Sequence, residues 1–184
     1  MAEFVRRRAM LGAALAWGLA VLGLVAPVEA EPGNDNRAPD LADYPKLQVE
    51  EGHKVAFHAY AEGVQIWGWT GTSWVFLKPE AVLYATAADD GIVGIHYGGP
   101  TWESASGSYV VGTLIDKATP NSNAIPWLLL GAVKSEGPGI FEGVTYIQRV
   151  NTVGGIAPAD PGEFPGEQAR VPYTADYFFY RESD

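Results

Sequence analysis

The chain contains no cysteine. Disulfides, thiolate nucleophiles and cysteine-ligated metal centres are therefore excluded, and the core alone must hold the fold. Histidine is nearly as scarce, with His53, His58 and His96 the three in 184 residues. They form no compact HExxH-type motif. Cations are few as well, 12 Lys and Arg against 22 Asp and Glu. A surface this acidic repels nucleic acid and anionic lipid, so neither is an expected partner. No GxSxG elbow for a serine nucleophile is present. "GPGIFEG" (137–143) is one residue too long for a nucleotide-binding glycine loop, and it follows the expected helix instead of opening one.

What is present begins with an export signature. Arg6, Arg7 and Arg8 precede an uncharged apolar run, and "VEA" at 28–30 gives a small-x-small cleavage pattern. The expectation is a signal peptide over 1–30, cleaved before Glu31, in preference to an uncleaved membrane anchor. "RRAML" (7–11) also has the look of a twin-arginine export signal. Its removal takes away three arginines and two glutamates, leaving nine Lys and Arg against twenty Asp and Glu, a formal charge of −11. The expected location is periplasmic or extracellular, with no integral membrane span left after cleavage.

Residues 31–45 are polar and rich in Pro, Asp and Asn, which reads as a flexible leader. From 46 to 184 the pattern is that of one β-rich domain. "KVAFHAYA" (54–61) alternates, "GVQIWGW" (63–69) is β-branched and aromatic, and "WVFL" (74–77) returns after the turn "TGTS". "AVLYAT", "IVGIHY", "SYVVGTLI", "VTYIQRVNT" and "VPYTADYFFYR" continue the series of strands. Short strands separated by Gly, Asp and Pro turns predict a mainly β fold, an antiparallel sandwich or distorted barrel. One helix is predicted near 124–135, capped by Asn123, opened by Pro126 and closed by "GPG" at 137–139. A weak repeat of 28 residues sets Gly63 to Trp74 against Gly91 to Trp102. It aligns Trp69 with Tyr97 and Gly71 with Gly99. "HYGGPTWES" (96–104) then becomes the second copy of a strand–turn–Trp unit, a structural reading of the loop.

Four blocks in order, "VGIHYGGPTWES" with "GSYVVGT", "NAIPWLLLGAV", "VTYIQRVNTVGGIAP" and "RVPYTADYFFYR", resemble the family catalogued as domain of unknown function 3455. The resemblance spans about 46–181 and implies a small exported protein of one domain. The family has no established activity, so it brings no catalytic residue, ligand or cofactor to this chain.

Several chemistries compete for the remaining side chains. His58 and His96, with Glu103 for an oxygen, are the candidate metal ligands. Glu103 beside Trp102 is also the best candidate acid for glycoside chemistry, with Glu136, Glu142 or Asp176 as a partner. Twenty acids make such neighbours common, so solvated surface charge is the preferred reading. Aromatic binding is the stronger alternative: Trp67 and Trp69 share one strand parity, and with Tyr97 and Trp102 they form the candidate ligand surface. Arg149 and Arg170 could clamp an anionic ligand, but pairing with an acid is the expected role. The expectation is thus a non-catalytic binding or envelope-associated module for a carbohydrate or small apolar ligand, with no cofactor. The alternative is a metal-dependent or acid-catalysed hydrolytic enzyme centred on His96 and Glu103, which requires His58, His96 and Glu103 to converge in one cleft.

Overall fold

The computed structural model describes residues 37–183. The expected signal peptide and the first residues of the leader lie outside that range. Eight strands follow in chain order: β1 (His53–Trp69), β2 (Trp74–Tyr84), β3 (Ile92–Tyr97), β4 (Thr101–Ser104), β5 (Tyr109–Ala118), β6 (Trp127–Glu136), β7 (Tyr146–Gly154) and β8 (Gln168–Glu182). Each pairs antiparallel with the next, and β8 pairs back onto β1, so the sheet is a closed barrel. Closure leaves no sheet edge.

Neighbouring strands run in opposite directions, so their connections alternate between two ends. Segments 70–73, 98–100, 119–126 and 155–167 sit at one end. The connections after β2, β4 and β6 sit at the other. That second end is plugged by Phe141 from the β6–β7 connection, fully buried against Phe57 and Phe179. Inside, Trp102, Tyr177 and Phe179 alternate with Ala59, Ala61 and Ala81. The bore of eight strands is narrow enough for side chains to fill, and mixing large with small residues lets them interlock. Gly112 makes such room, because a Cβ there would meet the Trp102 ring at 3.2 Å.

The predicted helix near 124–135 is not formed. Residues 127–136 are β6, and among the described residues the helical structure is one 3-10 turn at Pro45–Leu47. The apolar run misleads for a physical reason. Leu128 and Leu130 face the barrel interior, while Leu129 faces outward and is covered by a second cluster. A strand buried on both faces shows a continuous apolar run, which periodicity alone does not separate from a buried helix.

That outer cluster joins Leu41 and Leu47 to Val55, Leu129, Val150, Phe178 and Tyr180. The segment from Arg37 to Val49 therefore packs on the outer wall. The fully buried Leu47 anchors it, and its backbone oxygen accepts a 2.6 Å hydrogen bond from Gln148 Nε2. Truncation of a buried leucine costs about 2–5 kcal/mol. Leu47→Ala is expected to lower unfolding stability by that order in urea titration, whereas a segment free of the barrel would leave it unchanged.

Candidate functional site

At the end opposite Phe141 the bore widens into a cavity of about 630 Å³. The register explains which residues reach it. On β3 and β4, His96 pairs with Trp102 and both face inward; Ile95 pairs with Glu103 and both face outward. On β1, Gln65 and Trp67 face in, and on β7 and β8 the inward neighbours are Arg149 and Tyr177. Apart from the exposed Thr113 and Lys117, the rest of the wall is largely apolar, from Leu128 and Leu130 out to Phe76, Leu77 and Leu114, which are 49%, 47% and 53% exposed near the mouth.

"HYGGPTWES" forms part of this wall. His96 and Trp102 stack at 4.4 Å with planes 8° apart, and Tyr177 meets both rings edge-on. Gly98, Gly99 and Pro100 shape the turn between them and border the cavity. Gly99 has φ +100° and its repeat partner Gly71 has φ +99°. The two copies of the 28-residue unit are thus two hairpins turned by a glycine in the same left-handed conformation, which side chains with a Cβ rarely adopt.

The polar groups in the cavity wall are few. His96 Nδ1 donates to the Thr101 carbonyl at 2.8 Å, which leaves Nε2 as an acceptor. Burial pushes the imidazole pKa down to about 3; the Thr101 hydrogen bond opposes this, and the Arg149 cation adds to it. Arg149 is 9% exposed. Its Nε–H and one Nη2–H both donate to the Pro126 carbonyl, at 3.1 and 2.8 Å. None of the ion pairs among the described residues involves it. Burying a cation without an acid costs several kcal/mol. The fully enclosed Trp102 Nε1–H has no hydrogen-bond partner. The hydroxyls of Tyr173 and Tyr177, the Gln65 amide and, beside Tyr177, the Arg149 guanidinium are close enough to shift ionisation within the group, yet neither tyrosine hydroxyl closes a well-formed hydrogen bond. Burial raises both tyrosine pKa values, and Arg149 opposes that rise.

The expected metal set is not assembled. His58 lies on the outer wall, stacked on Phe178 at 4.0 Å, with Nε2 4.0 Å from an Asp176 carboxylate oxygen. Glu103, also outside, accepts a 2.8 Å hydrogen bond from the Tyr97 hydroxyl. His96 is inside, so His58, His96 and Glu103 share no cleft. No group of three or more potential metal ligands occurs among the described residues. The four aromatic candidates are divided too. Trp67 and Trp102 line the cavity, with Trp67 Nε1–H donating to the Gly155 carbonyl at 3.0 Å. Trp69 packs on Trp74 at 5.4 Å and beneath Gly162. Tyr97 is on the outer wall. Of the two arginines, Arg170 is paired with Glu80 at 2.7 Å, as expected, and Arg149 is not paired with an acid. Sequence reasoning undervalued Arg149. The available signal was an arginine on an apolar strand, in "YIQRV", with no acid beside it.

A family model described as protein of unknown function (DUF3455) matches residues 50–181, most of the chain. This chain belongs to that family. No curated protein and no solved structure matches it.

The depressed pKa of His96 makes a pH prediction. In the unfolded chain an ordinary histidine binds a proton near pH 6.5, while the folded site stays neutral down to about 3. Between those values the unfolded state binds more protons, so His96 favours folding less as pH falls. The slope from this residue is about 1.4 kcal/mol per pH unit. The stability of the protein relative to His96→Asn, measured by urea unfolding from pH 7 to 4, is expected to decline on acidification. A constant difference would show that His96 titrates normally.

Proposed function

We propose that this is an exported, non-catalytic binding module whose barrel holds a small, largely apolar molecule in the cavity behind "HYGGPTWES". The observation that carries this reading is the cavity itself. It is open at one end, closed by Phe141 at the other, lined by aromatic and aliphatic side chains, and supplied with a few convergent polar groups. Ligand sites share that composition, and an eight-stranded barrel has a bore that can hold one small ligand. The exposed Phe76, Leu77 and Leu114 extend the apolar lining outward. Export is proposed from the signal-peptide pattern of residues 1–30, and no helix among the described residues is long and apolar enough to cross a membrane. The binding surface of this proposal is interior, so a flat sugar-stacking platform is not part of it.

A neutral fluorescent probe, N-phenyl-1-naphthylamine, tests the reading. It is expected to bind with enhanced emission and to receive energy from Trp67 and Trp102, which line the site. Leu128→Trp, which fills the cavity from β6, is expected to weaken that binding at least about tenfold, equivalent to ~1.4 kcal/mol. Circular dichroism checks that the barrel persists. Equal binding by the filled variant would place the probe elsewhere and overturn the proposal.

A further inference from the structure

We infer that the ligand of this cavity is a monocarboxylate with an apolar body, its carboxylate seated on Arg149. The inference rests on the interior-binding reading above and names the chemical class that the site selects.

The guanidinium supplies the first argument. It carries five N–H groups in a rigid plane, and the Pro126 carbonyl takes two of them. The carbonyl orients the group without neutralising it. The N–H groups on the Nη1 and Nη2 side form the fork that matches the two oxygens of a carboxylate. No ion pair among the described residues supplies those oxygens. The buried cation thus lacks an anion in a chain with an excess of acids, where an internal carboxylate would have been easy to place.

A second and independent observation is Trp102. Its side chain is 1% exposed, it lines the same cavity, and its Nε1–H has no partner. Buried donors are almost always satisfied, so an orphan in the wall of a cavity that also holds a cation marks a place for an acceptor. Tyr177, also lining the cavity and in register with Arg149, adds a hydroxyl without a well-formed bond. All three side chains line one cavity, and the ligand group that best accepts from a guanidinium and two neutral donors is anionic. One buried guanidinium matches one negative charge; the other cation of the lining, Lys117, is exposed to solvent. The body then lies along Trp67, Leu128 and Leu130 toward the exposed Phe76 and Leu114.

Displacement of bound N-phenyl-1-naphthylamine by decanoate and by 1-decanol at neutral pH separates the head from the body. Decanoate is expected to displace the probe at a concentration at least about tenfold lower than decanol. In Arg149→Gln that preference is expected to vanish, with decanol unaffected. Tyr177→Phe is expected to reduce it severalfold. The wild-type comparison decides even if Arg149→Gln fails to fold. Equal potency of acid and alcohol, or a preference that survives in a folded Arg149→Gln, overturns the inference while probe binding leaves the interior site standing. Failure of every ligand, the neutral probe included, overturns the interior site and this inference with it.

Discussion

The pairing of β1 with β8 is the constraint on which the rest depends. It runs from His53 opposite Glu182 to Gly68 opposite Gln168 and turns a sheet into a ring. Without it two long edges would be exposed, and the inward residues would face water on one side. With eight strands in the ring the bore is fixed. Phe57, Phe141, Phe179 and Trp102 fill it at and above the plug, and space remains beyond them. The cavity follows from strand number and from where the large side chains run out.

The enclosed environment acts differently on its two basic side chains. Burial disfavours the charged form of both His96 and Arg149. Histidine has a pKa close enough to neutrality to give up its proton, and His96 does. Arginine cannot be deprotonated in a protein, so Arg149 remains a cation however poorly it is solvated. One site therefore contains a neutral acceptor and a fixed positive charge a few residues of wall apart. Trp102, fully enclosed, is stacked on His96.

Much of the fold was legible in the sequence. The strand at 54–61 was readable because Phe57, Ala59 and Ala61 pack in the core while Lys54, His58 and Tyr60 do not, and the one at 92–97 because β-branched residues lie between turn signals. The long apolar stretch at 127–133 was not, because Arg37–Val49 covers the outer face and erases the alternation. That cover is itself obscured by the polar composition of residues 31–45, where Leu41 is the one buried residue among the described 37–45. β4 was also hidden, four residues long and absorbed into the turn reading of "HYGGPTWES". At the site, parity placed Trp67 on one face of its strand but could not say that this face is interior. The choice for Arg149, pair or clamp, depended on whether an acid lay across the bore, and only closure of the ring settles who lies across it.

A ring has no privileged first strand. Because β1 and β8 are hydrogen-bonded neighbours, the start of one and the end of the other lie side by side at the end plugged by Phe141. A peptide that joins the end of β8 to the segment before β1 would keep Arg37–Val49 on the outer wall. The chain could then be opened instead at Thr70–Ser73, between the paired Trp69 and Trp74, with every ladder kept. Circular permutation would thereby carry the break between strands from the closed end to the mouth. A fusion partner attached after β8 points away from the opening; attached to the permuted chain at Thr70–Ser73, it becomes a cap over it.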